Sequence, residues 1–148
     1  MIPTIDDLRA GRTLAELQGM PAELGAAMAS LAAREAAGGD LEVARGILEG
    51  LVVTNPKDAL AWALLSQVER RRGDPYAAVL CAEAAWRLAP EDRQVRMARA
   101  ESLLAVPAEE GTGGAARREA ARAGLLALRE GGDEVARRAG VLLRALGP

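Results

Sequence analysis

The sequence predicts an all-α chain built from stacked helix–turn–helix units. Three observations carry that expectation: an apolar content dominated by Ala and Leu, no stretch that alternates apolar and polar residues, and a set of residues that recurs every 34 positions. Ala and Leu are strong helix formers, whereas a half-buried strand needs a period of two. The only aromatics are Trp62, Tyr76 and Trp86. Such a chain buries its surface by close helix–helix approach rather than with large side chains. At 148 residues it is long enough for one domain with a real core.

The first 20 residues read as a short amphipathic helical segment. Thr4 with Asp7 resembles a capping box that uses Asp in place of Glu. Ile5, Leu8, Leu14 and Leu17 supply apolar contacts, with Gly11 interrupting them. A helix in this position either caps the array or meets a partner subunit. Pro21 suits the first turn of the next helix.

Gly39-Asp40 and Gly73-Asp74 lie 34 apart, as do Ala44 and Ala78, Pro56 and Pro90, Leu31 and Leu65, and Glu35 and Glu69. That interval is the period of the tetratricopeptide (TPR) repeat. The second unit, 59–92, shows the logic most clearly. Trp62 and Leu65 open its first helix, Gly73-Asp74 makes the turn, and Ala78, Ala82 and Ala85 run down one face of its second. Gly73 accepts a left-handed conformation at a helix C-terminus without a Cβ penalty. Pro90 terminates the unit because proline cannot continue a helix interior. The first unit, 25–58, repeats the pattern with Leu31, Gly39, Ala44, Leu48, Leu51 and Pro56.

The third unit, 93–130, is irregular. A helix from about Glu91 to Val106 is followed by a Gly- and Pro-rich insertion, 107–114, expected to be a mobile surface loop. A helix from about Ala115 to Arg129 comes next, then the break Gly131-Gly132-Asp133, with Asp133 a candidate N-cap. The last helix, 133–146, closes the open end of the stack. The expected architecture is a TPR-like superhelix of about three repeats, with an N-terminal helix and a C-terminal capping helix.

Composition narrows the function. The net charge is −2, with acids and bases spread along the chain, unlike the basic stripe of a nucleic-acid binder. Arg70, Arg71 and Arg72 sit where cations complement a helix dipole. No run of about 18 apolar residues is present to span a membrane. The N-terminus lacks the pattern of a secretory signal, and a lone Cys81 suits a reducing compartment. A cytoplasmic protein is expected. The chain has no histidine, which removes the commonest general base and metal ligand. Cys81 lies among Ala78, Ala82 and Ala85 and reads as a small buried residue. Gly111-Thr112-Gly113-Gly114 lacks the Lys-Ser/Thr and preceding strand of a phosphate cradle. The chain reads as a non-enzyme with no cofactor and no metal.

In stacked helical pairs the first helix of each pair faces the concave side. Positions two, five, nine and twelve of each such helix share that face. Unit one places Ala26, Ala29, Ala33 and Ala36 there; unit two places Leu60, Ala63, Gln67 and Arg70, with Leu64 beside them; unit three places Gln94, Met97, Glu101 and Leu104. These are the candidate peptide-binding residues, although alanine at such positions also serves plain helix packing. Glu35 and Glu69 read as members of solvated faces. TPR domains that clamp C-terminal carboxylates use inner-face cations, and the matching positions here hold Ala29, Ala33, Leu64, Gln94 and Ala98.

Several stretches go beyond the generic repeat. Gly11-Arg-Thr-Leu-Ala-Glu-Leu17, Ser30-Leu31-Ala32 with Gly39 and Ala44, Ala100-Glu101-Ser102-Leu103-Leu104, and the closing Val141-Leu142-Leu143-Arg144-Ala145-Leu146 resemble the class II chaperones of bacterial type III secretion systems. The resemblance covers roughly residues 11–146. It implies a cytoplasmic chaperone that holds a hydrophobic translocator protein in its concave groove. It also implies a homodimer through the N-terminal helix, with Ile5, Leu8, Leu14 and Leu17 as contacts. Where the family commonly has aromatics in the groove, this chain has Ala29, Ala33, Ala36 and Leu41. A groove of alanines buries less area per contact, so micromolar affinity for a single short motif is expected. The competing expectations are a scaffold joining folded partners in a motility, pilus-assembly or signalling complex, and a purely structural subunit.

Overall fold

The computed structural model describes residues 2, 4–108 and 112–148. Among them every regular element is a helix: α1 (Ile5–Arg9), α2 (Leu14–Leu17), α3 (Ala22–Ala37), α4 (Leu41–Thr54), α5 (Ala59–Arg72), α6 (Pro75–Leu88), α7 (Arg93–Ala105), α8 (Thr112–Leu128) and α9 (Glu134–Leu146). Helices α3–α4, α5–α6 and α7–α8 form three TPR-like hairpins, and each hairpin packs on the next. Their first helices lie side by side in the order α3, α5, α7, and α9 touches α7 to extend the row.

Aspartate starts most of these helices. Asp40, Asp58, Asp74, Asp92 and Asp133 accept the backbone N–H of Val43, Ala61, Ala77, Val95 and Ala136 at 2.8–3.1 Å. Each cap satisfies a donor that the helix itself leaves free. Asp58 and Asp92 thereby extend the 34-residue repeat to the turns between hairpins. Gly73 ends α5 at φ +88°, the left-handed geometry expected of it. Helices α4 and α6 end at Thr54 and Leu88, and their C-caps Asn55 and Ala89 leave helical dihedrals because each immediately precedes a proline, Pro56 or Pro90. The indole N–H of Trp62 donates to the Pro56 carbonyl at 2.9 Å and pins the turn between the first two hairpins.

The core is built from small side chains at the helix crossings. Ala32, Ala44, Ala61, Ala78, Ala82 and Ala85 are fully buried, with Leu48, Leu125 and Leu128 as the largest sealed side chains. One cluster joins α3, α4 and α5 around Leu48 and Leu51 and includes Cys81 of α6. A second joins α7, α8 and α9 around Met97, Leu125 and Ala139. Ala63, Ala85, Val95 and Ala98 connect the two. Buried Ser66 and Ser102 donate to Ala63 and Ala98 carbonyls of their own helices at 2.7 Å, so neither hydroxyl is orphaned.

Four sequence expectations are corrected. The N-terminal segment is two short helices, broken where Gly11 takes φ +83°. Each has its own capping box, Thr4 with Asp7 and Thr13 with Glu16. Pro21 precedes α3 rather than occupying its first turn. Helix α8 begins at Thr112, so Gly113 and Gly114 belong to its first turn and not to a loop; in a first turn most N–H groups lack intrahelical partners anyway. Residues 109–111 of the expected loop lie outside the described residues. Finally, Glu69 is no solvated residue. It is 4% exposed and ion-paired to Arg45 and Arg72, each at 2.8 Å. Its repeat mate Glu35 is half-buried, and Leu31 is exposed where Leu65 is buried. The cause is position in the stack. Leu65 and Glu69 face the preceding hairpin, whereas α3 has no hairpin before it.

Candidate functional site

The row of first helices presents a face with two neighbouring hollows. One, of about 210 Å³, lies between α3 and α5; Ala33, Ala36, Leu64, Gln67 and Arg71 are among its walls. The other, of about 280 Å³, lies across α5, α7 and α9 and is lined by Arg70, Glu101, Leu104, Ala105, Arg138 and Leu142. A third hollow, of about 390 Å³, opens where α2 approaches the N-terminal ends of α3 and α5; Ala15, Met20, Ala26, Ala29 and Leu60 are among its walls.

Helical periodicity gave the direction of the candidate residues, and burial separates them by depth. Ala33 and Leu60 are exposed, and Leu64, Gln67, Arg70 and Leu104 are half-buried, so all six offer surface to a ligand. Ala29, Ala36, Ala63 and Met97 are buried. Neighbouring helices cover them, so they offer little contact surface: Ala36 lies at the base of the hollow between α3 and α5 and Ala29 at that of the third, whereas Ala63 packs against α6 and α7, and Met97 against α8 and α9. Glu101 is also corrected. It is 6% exposed and already engaged, accepting from Arg70 Nη2 at 3.3 Å and from Arg138 Nε of α9. Ala26 and Gln94 are exposed, at the N-terminal ends of α3 and α7.

The three arginines that end α5 do more than complement its dipole. Arg70 reaches α7 through Glu101. Arg71 donates to the Ala36 carbonyl at 2.5 Å, an acceptor at the end of α3 that the Gly39 backbone N–H also reaches at 3.0 Å. Arg72 bridges to Glu42 of α4 at 2.6 Å. One basic tripeptide thus ties the middle hairpin to both neighbours. Arg138, on α9, had no place in the sequence-based face; its signal was the amphipathic spacing of Arg138 with Leu142 on the closing helix.

The N-terminal apolar residues divide. Ile5 (69% exposed) and Leu8 (46%) stand open on α1, which buries nothing, while Leu14 and Leu17 are half-buried on α2. Lys57 Nζ donates to the Gly11 carbonyl at 2.6 Å and holds this segment against the α4–α5 turn. Burial pushes the Cys81 thiol up to about 11, the opposite of an activated nucleophile. No group of residues able to hold a metal and no helix long and apolar enough to cross a membrane occurs among the described residues.

No family model and no curated protein matches this chain. Solved structures do. A chain of a type III secretion system complex from Aeromonas hydrophila is 20% identical with a TM-score of 0.78, over 95% of this chain and 92% of that one. The type III secretion translocator chaperone SycD of Yersinia enterocolitica is 19% identical with a TM-score of 0.72, over 90% of this chain and 98% of that one. At such identities the likeness is one of fold, and it extends over nearly the full length of all three chains: this protein has the TPR-like architecture of a type III secretion translocator chaperone.

Proposed function

We propose that the chain is a cytoplasmic, non-enzymatic chaperone that holds an extended apolar segment of a protein client, of the kind a type III secretion translocator offers. The observation that carries this reading is the hollow between α3 and α5. Exposed Ala33 and half-buried Leu64 and Gln67 stand above a floor of sealed alanines, leaving a shallow apolar seat on a helical row. Such a seat suits a few apolar anchors of an extended or partly helical peptide. Leu60 adds apolar surface at the third hollow, and Leu104 does so at the hollow across α5, α7 and α9. The fold shared with SycD supports the same reading.

Co-expression with a hydrophobic translocator tests it. The wild-type chain should keep the client soluble and co-purify with it, and Ala33→Trp, which fills the seat from an exposed position, should leave the client insoluble. Client solubility indifferent to Ala33→Trp would remove the seat as the holding site. Binding confined to proteins already folded would favour a scaffold instead. Self-association through Ile5 and Leu8 belongs to the same proposal. Deleting residues 1–20 should reduce the solution mass to that of a monomer, and an unchanged mass removes that segment as the contact.

A further inference from the structure

We infer that this face selects for acidic client segments: it takes apolar anchors whose flanking residues are Asp or Glu, and it disfavours those flanked by Lys or Arg. The inference rests on the holding function proposed above and adds the chemistry of the client.

Charge on the lining residues carries the argument. Across the two adjacent hollows the charged groups are Arg70, Arg71, Arg138 and Glu101. Three guanidinium groups therefore meet one carboxylate, a local excess of two positive charges on a chain whose net charge is −2. Glu101 is buried and shared by Arg70 and Arg138, so its single charge is divided between two cations. Arg71 has no carboxylate partner among the described residues and donates only to the Ala36 carbonyl. Arg138 keeps about half of its side chain open to solvent, and Arg70 roughly a third. Guanidinium groups offer five donors in a planar fork, so both retain N–H groups for a second carboxylate after serving Glu101.

These cations flank apolar walls. Leu64 and Ala33 lie on the Arg71 side, and Leu104 and Leu142 on the Arg70–Arg138 side. A client segment that seats an apolar side chain in either hollow brings its neighbouring residues to the guanidinium rim. A carboxylate there gains charge-assisted hydrogen bonds. An ammonium meets uncompensated like charge. Shallow alanine walls contribute little per anchor, so rim electrostatics weigh more in choosing among clients than they would over an aromatic groove.

Panning a random 12-residue peptide library on the full-length chain, with counter-selection on Ala33→Trp, tests the inference. Recovered peptides should be enriched in Leu, Ile and Val together with Asp and Glu, and depleted in Lys and Arg. For one recovered peptide, Glu→Gln should weaken binding about two- to fivefold by fluorescence polarisation. That difference should shrink in the Arg71→Gln/Arg138→Gln protein. It should also shrink for the wild-type protein at roughly 0.5 M salt, a readout that does not depend on the variant folding. Apolar peptides recovered without acidic bias overturn the inference and leave the holding function standing. Recovery no better than on Ala33→Trp overturns both.

Discussion

Nε of Arg45 on α4 donates to Oε1 of Glu69 on α5 at 2.8 Å, joining the first hairpin to the second through a nearly sealed carboxylate. The other oxygen of Glu69 is held by Arg72, which also reaches Glu42 of α4. A buried carboxylate is tolerable only when paired and fully hydrogen-bonded, and here both oxygens are engaged. Glu69→Gln keeps the shape and removes the charge, leaving two guanidinium groups with a weaker common acceptor. Because both arginines are partly open to solvent, the loss should be about 1–2 kcal/mol rather than that of a sealed pair. A lower urea midpoint with an unchanged slope is the expected result.

A second charge relationship controls behaviour in acid. Asp133 accepts from Arg93 Nη2 and Nε at 2.8 and 3.0 Å and from the backbone N–H of Ala136 at 2.8 Å. The Arg93 bonds, then the Ala136 bond, pull its carboxyl down from an ordinary 3.8 to about 2. A folded value below the unfolded one means stabilisation that is complete above pH about 4 and is lost as pH falls towards 2. Asp133→Asn keeps an N-cap acceptor and removes the titration. Its acid-unfolding curve should therefore be flatter than wild type between pH 4 and pH 2, with carboxyl-region NMR titration reporting the missing group.

These two carboxylates also show what could be read from sequence. Asp133 followed a Gly-Gly break before an apolar-periodic run, so its capping role was legible from local chemistry alone. Glu69 was not, because its partner Arg45 is 24 residues away and comes near only when two hairpins stack. The same limit applies to the binding face. Periodicity of 3.6 gives a side chain's direction but not how closely the next helix approaches. Ala29 and Ala33 therefore looked equivalent, yet one is sealed and the other open. The Thr13–Glu16 capping box is different: its Thr-x-x-Glu spacing was visible in the sequence and separates α2 from α1.

Gly73 and Gly46 test the backbone logic as a contrasting pair. Neither would bring an added Cβ within 4 Å of another atom, so sterics do not distinguish them. Gly73 sits at φ +88°, while Gly46 lies inside α4 in ordinary helical geometry. Gly73→Ala should cost roughly 1–2 kcal/mol, the penalty of a left-handed L-residue. Gly46→Ala should instead stabilise by up to about 1 kcal/mol through helix propensity. Thermal melts of the two variants should move in opposite directions.

Cys81 gives a probe of folding. Desolvation, with a smaller contribution from Glu69, raises its thiol from 9.0 to about 11. At pH 8 the thiolate fraction falls roughly a hundredfold relative to an exposed cysteine, and burial restricts access further. Iodoacetamide should leave the native chain unlabelled over minutes, and labelling should appear in parallel with urea unfolding. Rapid labelling in buffer would mean that α6 opens locally far below the global transition.

The distinction between sealed and open candidate residues yields the most direct test of the site. Ala29 and Ala63 are sealed, and a leucine at either position must push neighbouring helices apart, a disturbance of about 1–3 kcal/mol. Ala33 is exposed at the hollow between α3 and α5, and Ala33→Leu should change stability by less than about 0.5 kcal/mol. The consequences for binding should run the other way. Ala33→Leu narrows the mouth of the seat without disturbing its base, so client affinity should change while the melting temperature stays put. The substitutions at the two sealed positions should lower the melting temperature first and affect binding only through the loosened row. A short unmodified peptide should bind the wild-type chain in the micromolar range, because walls of alanine bury little area per anchor. Calorimetry on the three variants with one such peptide separates these effects, and nanomolar binding would show that the seat is deeper than its alanines allow.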